Sequence, residues 1–256
     1  MCRSGIGAVA LATALLGAPV CMPAASAQPA ATAPVSADLL ATLEAERLLL
    51  FGGTDFWRAG GFLHGGFAWA PDGLAHDGPV FKVLAGAGTY QYRVGRTPIE
   101  AAQTLLSVTP GWIFRRDRFI AVVHGGIDLQ DQWTLPVDPG NPLRGPHAGM
   151  RLGLETWWEP LQDVMVKSHA TWSSTGHGWG AGAAAGYRML QTWYGGLFVG
   201  PEVQAYGDAT YHQLRAGLHG TALQYGPYQW SAGMGWVTDS DHRSGLYVRI
   251  GVLTKM

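Results

Sequence analysis

Apolar residues alternate with small or polar residues along most of the chain after residue 40. The pattern is clearest in 243–253, where one set of alternate positions is Leu246, Val248, Ile250 and Val252. The positions between them are Tyr247, Arg249 and Gly251. Successive side chains of a β-strand point to opposite sides, so this strict period of two predicts strands with two different faces.

Twelve segments carry this pattern, and we expect each of them to form a strand. They are 48–57, 61–70, 79–93, 107–115, 118–130, 145–158, 162–173, 178–190, 193–205, 209–223, 228–238 and 243–253. The region 96–115 is also compatible with a helix that begins near Pro98, and the number of strands would then be ten. Turn signals such as Pro71-Asp72-Gly73 and Asp138-Pro139-Gly140-Asn141 separate the segments.

The first residues have the pattern of an export signal. Arg3 precedes the apolar stretch 5–20, and Ala25-Ser26-Ala27 is a small-x-small cleavage site. Such a stretch is too short to span a bilayer comfortably and is typical of a secretory signal peptide. We therefore expect residues 1–27 to be a signal peptide that is removed from the mature protein.

The remaining chain divides into two parts. Residues 28–47 are expected to form a flexible segment, with a possible short helix after Ser36, and 48–256 a single β domain. Both cysteines, Cys2 and Cys21, lie in the predicted signal peptide. A mature chain without cysteine excludes a disulfide framework and a thiolate metal site.

Composition narrows the fold class further. Charged residues make up 14% of the chain, against about 25% in soluble domains, and the chain contains 37 Gly and 11 Trp. This composition favours an all-β, antiparallel outer-membrane β-barrel of about twelve strands, with lipid outside and a narrow polar lumen. Several tryptophans close to segment ends are then expected in interfacial girdles: Trp57, Trp69, Trp112, Trp133, Trp157 and Trp193.

A soluble periplasmic β-sandwich is the alternative, because its strands alternate in the same way. The formal net charge is -1, so no basic excess points to a nucleic acid partner.

Short motifs recur in a fixed order through the predicted strands and loops. They are LFGGTDFW at 50–57, GFLHGG at 61–66, PGWIF at 110–114, DLQD at 128–131, DPGNPLRG at 138–145, ETWWEP at 155–160, VGPEVQA at 199–205, WSAG at 230–233 and DSDHRSG at 239–245. Together they resemble the cellulose biosynthesis protein BcsS family over about 50–256. The resemblance implies an accessory role in cellulose synthesis or export. For the alternative of a soluble periplasmic β-sandwich, it implies that the sandwich binds glucan. It implies as partners the glucan chain and subunits of the cellulose synthase or export complex.

Known catalytic signatures are missing from the sequence. It contains no H-E-x-x-H, no G-x-S-x-G and no P-loop, so we expect no enzymatic activity, no cofactor and no metal. Four carboxylates leave open the alternative of a barrel hydrolase that acts on glucan or lipid: Asp138, Glu155, Glu159 and Glu202.

Candidate glucan contacts combine aromatic faces, which stack on sugar rings, with polar residues of the loop that follows Leu135. They are Trp133, Trp157, Trp158, Asp138, Asn141 and Arg144. Girdle and turn positions are an equally open interpretation of these six residues.

Overall fold

The structure is a computed structural model that describes residues 46–190, 196–208 and 211–256. The predicted signal peptide, the possible helix after Ser36 and Trp193 all lie outside these ranges. Twelve strands form in the described residues: β1 (Leu48–Trp57), β2 (Gly60–Trp69), β3 (Gly78–Val94), β4 (Thr97–Arg116), β5 (Phe119–Leu135), β6 (Gly145–Leu161), β7 (Val164–Ser173), β8 (Trp179–Met189), β9 (Leu197–Gly207), β10 (His212–Tyr225), β11 (Tyr228–Asp239) and β12 (Ser244–Lys255). A short 3₁₀ turn, Thr175–His177, lies between β7 and β8. No helix in the described ranges is long and apolar enough to cross a membrane.

Every strand pairs antiparallel with its neighbours in the chain, and β1 pairs with β12 to close the sheet into a barrel. The prediction of twelve antiparallel strands is confirmed. A single closed sheet also excludes the alternative of a β-sandwich, which needs two separate sheets packed face to face.

The helix considered for 96–115 is wrong, because β4 begins at Thr97 and runs through the whole region. Ile99 and Ala101 are buried while Glu100 between them is exposed, and this is the period of a strand. Pro98 lies where β4 pairs only with β3, since the first pair between β4 and β5 is Glu100 with Leu135. A proline is tolerated at such an edge because no neighbouring strand needs the N–H that proline lacks.

The strands are strongly tilted. A row of paired residues starts at Leu50, near the end of the barrel where β1 begins, and passes through Phe67, Val83, Val108 and Ile127. It reaches Met150 at the opposite end, beside the β7–β8 connection, where the backbone N–H of Ser174 donates to the carbonyl oxygen of Met150. We call the end that carries the start of β1 and the finish of β12 the terminal end, and the opposite end the far end. With strands about 4.8 Å apart and tilted by about 40°, each step along such a row rises about 3 Å towards the far end.

Four strands extend past the others at the far end. On one side, β2 pairs with β3 only as far as Gly60 with Tyr90, whereas β3 continues to Val94. On the other side, β7 ends at Ser173, which pairs with Arg151, whereas β6 already begins six residues earlier, at Gly145. We call this extension of β3–β6 the overhang; it comprises 89–94, 97–102, 131–135 and 145–150. The connection 136–144, called the far-end loop below, joins β5 to β6 there.

The outer surface of the barrel is apolar and carries exposed aromatic residues near both ends. The terminal belt consists of Trp69, Phe81, Trp112, Phe119, Trp158, Tyr228 and Trp230, and the far belt of Phe56, Trp172, Trp179 and Trp236. An apolar band between two aromatic belts is what a barrel in lipid presents, and the chain is an outer-membrane protein. The prediction that Trp57 and Trp157 belong to these girdles is wrong. Both occupy positions of their strands whose side chains point into the lumen.

Candidate functional site

Near the terminal end, an apolar cluster lies across the lumen. We call it the plug, and its buried members come from nine strands and the β2–β3 connection: Leu49, Ala68, Ala70, Leu74, Val80, Ile113, Ile120, Val122, Trp157, Met165, Phe198 and Leu253. Trp157 packs edge-on against Phe198, with ring centroids 5.9 Å apart, and donates a hydrogen bond from Nε1 to Glu159 Oε1. The plug fills the cross-section of the lumen with packed side chains.

Buried ion pairs occupy the lumen above the plug. The two pairs closer to the terminal end are Lys82 with Glu155, and Arg249 with Glu202. Glu202 also accepts a hydrogen bond from the hydroxyl of Tyr247 at 2.8 Å. Each of these charges comes from a different strand, so each pair connects two strands that are not neighbours in the barrel.

Two further ion pairs lie nearer the far end. The side chains of Asp128 and Arg151 are 0% exposed, and Arg151 Nη2 donates to both carboxylate oxygens of Asp128, at 2.9 and 3.0 Å. Arg215 Nη1 donates to Asp55 Oδ2 at 2.6 Å, and the guanidinium lies 5.3 Å from the centroids of the Tyr206 and Tyr247 rings. Paired and largely hydrogen-bonded, these charges can remain ionised in the interior.

Three histidines of the lumen have the same arrangement, because each of them pairs with a glycine on a neighbouring strand. His64 pairs with Gly53, His124 with Gly153 and His169 with Gly182. A Cβ on any of these three glycines would overlap the imidazole ring of its partner. The glycines of the polar face therefore make room for large side chains from neighbouring strands, and these side chains occupy the space in the lumen.

The far-end loop folds over the inner face of the overhang. Tyr92 donates its hydroxyl hydrogen to Asp138 Oδ2 at 2.8 Å, and Asn141 Nδ2 lies 3.4 Å from the same hydroxyl oxygen. Asp138 Oδ1 accepts from the backbone N–H of Gly140, and Leu143 is buried. The loop thus lies against the inner face of the overhang, at the far end of the lumen.

Each of the four carboxylates of the hydrolase alternative is engaged by another side chain. Glu155 is engaged by Lys82 and Glu202 by Arg249, while Glu159 accepts from Arg188 Nη2 at 3.1 Å. Asp138, the fourth, lies at the far end in contact with Tyr92. In the described ranges no three His, Asp or Glu side chains are arranged to hold a metal ion.

Six residues were predicted to contact glucan, and the structure does not bring them together. Trp133 is 51% exposed on the outer face of the overhang, whereas Trp157 lies in the plug and Trp158 in the terminal belt. Gln132 pairs with Gly145, and Trp157 is twelve residues further along β6, so about 40 Å of strand separates Trp133 from the plug.

The three loop residues of the prediction have different surroundings. Asp138 and Asn141 are buried against Tyr92, and Arg144 is exposed. Their contact with glucan stays a prediction.

Trp133 borders a groove on the outer face of the overhang, with a volume of about 560 Å³, that sequence analysis did not reveal. Its other side chains include Arg58, Gln91 and Glu100. Gln91 Nε2 donates to Glu100 Oε1 at 3.3 Å. Glu100 was missed because the region around it was compatible with a helix, although its alternation with Ile99 and Ala101 already indicated an outward strand position.

Several known proteins have a similar overall shape. Solved structures of similar shape include a KdgM porin (10% identity, 81% of this chain and 99% of that chain covered, TM-score 0.48) and LpxR from Salmonella typhimurium (12%, 82% and 100%, TM-score 0.42). The β domain of the Bordetella autotransporter BrkA is also similar (12%, 82% and 99%, TM-score 0.48). A search of curated protein sequences gave no match.

Sequence comparison with protein families identifies the chain more closely. The profile of the cellulose biosynthesis protein BcsS family matches residues 49–256, which include nearly the whole barrel. This range contains all nine motifs that carried the resemblance in the sequence. The chain belongs to the cellulose biosynthesis protein BcsS family, and it is an outer-membrane barrel associated with cellulose biosynthesis.

Proposed function

We propose that this barrel is a non-enzymatic and non-conducting accessory of cellulose biosynthesis, which holds glucan at the outer surface of the outer membrane. The observation that carries the proposal is the filled lumen, with the plug at one end, four buried ion pairs in the middle and the far-end loop at the other. A glucan chain that crossed the lumen would have to separate the buried ion pairs, and exposing unpaired charges there costs several kcal/mol per ion. The outer surface is therefore the better place for contact with glucan.

The proposed orientation of the barrel rests on its longest connection and on the extension of its strands. Both ends have two-residue turns, and the terminal end also has the eight-residue β2–β3 connection; the far end has the nine-residue far-end loop and the overhang. Outer-membrane barrels have short periplasmic turns and longer extracellular loops, which favours an overhang that faces the outside of the cell.

The absence of catalysis is part of the proposal. Each candidate carboxylate is engaged by a cation or a hydroxyl donor, whereas glycoside hydrolysis needs two carboxyl groups that flank the same bond. The proposed partners are the glucan chain and, on the periplasmic side, subunits of the cellulose synthase or export complex, with membrane lipid around the belts.

The test compares cells that lack this protein with cells that carry it. An organising role predicts an unchanged total amount of cellulose but a smaller fraction that stays attached to the cells after washing. If the protein were the export conduit, its loss would instead lower secreted cellulose and leave glucan in the periplasm. Normal attachment together with a normal total would contradict the proposed role.

A further inference from the structure

Trp133 lies beyond the region of the barrel that contacts lipid. It shares a hydrogen-bonded row with Phe56 of the far belt, through Gly61, Thr89 and Ala102. Four steps along that row, at about 3 Å each, place Trp133 about 12 Å further from the terminal end than Phe56. With the far end outside, this position lies above the far belt, in water or among lipopolysaccharide sugars.

The neighbours of Trp133 support this placement. Asp131 and Glu100 share its outward face and are polar, and the small Ala102 lies directly opposite on β4. Leu135 lies on the same face, is exposed and also lines the groove. By contrast, Trp236 of the far belt pairs with the exposed Leu246. A half-exposed tryptophan on a face that combines polar and apolar side chains offers a contact surface.

The groove beside Trp133, called the rim groove below, has the size of a small-molecule site. Its volume of about 560 Å³ falls within the range of about 300–1,000 Å³ that such sites occupy. Thr89 and Ala102 lie in the middle of the row, between Gly61 and Trp133, so small side chains line the centre of the groove. The groove is open towards the outside, and an extended ligand can therefore lie along it.

The chemistry of the rim groove matches a sugar ring. The indole of Trp133 offers an apolar face to the C–H side of a pyranose. Glu100 accepts, and the Gln91 amide both donates and accepts, hydrogen bonds with ring hydroxyls. Arg58 adds a donor on the opposite side of the groove. An acyl chain could make no hydrogen bonds with these polar groups.

We propose that the rim groove binds a short run of sugar rings of a linear β-linked glucan, with Trp133 as the stacking platform and Glu100 as the hydroxyl acceptor. This proposal rests on the proposed function, because the groove would be the place where the barrel holds glucan. The sugars of lipopolysaccharide offer similar chemistry at the same height, so the experiment has to separate the two sources.

The experiment measures binding of cellohexaose to the purified barrel in a detergent without a sugar headgroup, by calorimetric titration. Trp133→Ala is compared with Trp172→Ala, which removes an exposed tryptophan of the far belt, and with Glu100→Gln, which removes only the charge. A mobility shift on boiling establishes that every variant is a folded barrel. A second titration uses the delipidated core oligosaccharide of lipopolysaccharide.

The expected result is a loss of cellohexaose affinity of at least tenfold in Trp133→Ala, a smaller loss in Glu100→Gln, and no change in Trp172→Ala. Equal binding by the wild type and Trp133→Ala would overturn the groove assignment and leave the proposed function standing. Dependence on Trp133 for the core oligosaccharide alone would overturn the assignment to glucan. No cellohexaose binding by the wild type would refute both proposals.

Discussion

Removing the carboxylate of Asp128 is the sharpest test of whether the buried charges of the lumen depend on their ion pairs. The substitution Asp128→Ala leaves the guanidinium of Arg151, which is 0% exposed, without its counter-ion. The variant also loses hydrogen bonds from Ser173 Oγ at 2.5 Å and Gln130 Nε2 at 2.8 Å. Breaking a buried pair on one side costs about 3–5 kcal/mol, and we expect the free energy of unfolding to fall by that amount.

A second substitution separates the charge effect from lost packing. In Asp128→Ala with Arg151→Met no buried charge remains, so the double variant should be more stable than Asp128→Ala alone by about 2 kcal/mol or more. The control is Asp241→Ala, which breaks the contact of 3.0 Å with Arg243 at a partly exposed position of the β11–β12 turn. Such an exposed pair contributes at most about 1 kcal/mol.

The assay is reversible urea unfolding of the barrel in phospholipid vesicles, followed by tryptophan fluorescence. Equal losses in Asp128→Ala and Asp241→Ala, both below about 1 kcal/mol, would refute the reasoning. They would mean that water solvates Arg151 in the lumen, and a filled lumen could then no longer support the proposed function.

Three further predictions test other parts of the barrel. In planar bilayers the wild type should give no stable ionic current steps, and regular steps would show that the lumen conducts. Tyr92→Phe removes the hydroxyl that donates to Asp138, so the far-end loop should be cut faster by added protease, with a stability loss of about 1 kcal/mol; an unchanged cleavage rate would show that this contact does not hold the loop. Gly153→Ala places a Cβ against the His124 ring and should cost about 1–3 kcal/mol in urea unfolding. Gly65→Ala is its control, because the nearest atom to that Cβ is a carbonyl oxygen 3.6 Å away, and equal losses in both variants would contradict the overlap.

Much of the fold was accessible from the sequence because strand alternation is a local signal. The pattern Tyr247-Val248-Arg249-Ile250 already assigned two faces to β12, and the structure turns Tyr247 and Arg249 into the lumen as that pattern requires. Where the local signal was mixed, the sequence left a strand and a helix open as alternatives. Pro98 suggested a helix start, but pairing of β4 with β3 decided for a strand.

The candidate site was less accessible, because residue type does not reveal height or direction. Trp133, Trp157 and Trp158 are alike as sequence letters, yet one lies on the overhang, one in the plug and one in the terminal belt. Trp157 and Trp158 are neighbours in β6, and they differ only because successive side chains of a strand point to opposite faces. The height of Trp133 depends on strand tilt and on the register of four successive pairings.

The sequence by itself determined the strands, their two faces, the membership of the chain in its family and the absence of known catalytic motifs, since all of these are written in neighbouring residues. Only the tertiary structure decided which charges meet in the lumen. Asp55 and Arg215 are 160 residues apart in the chain, and they come into contact because barrel closure sets β1 only three strands from β10 around a narrow interior. The tilt of the strands extends β3–β6 past their neighbours and creates the groove beside Trp133.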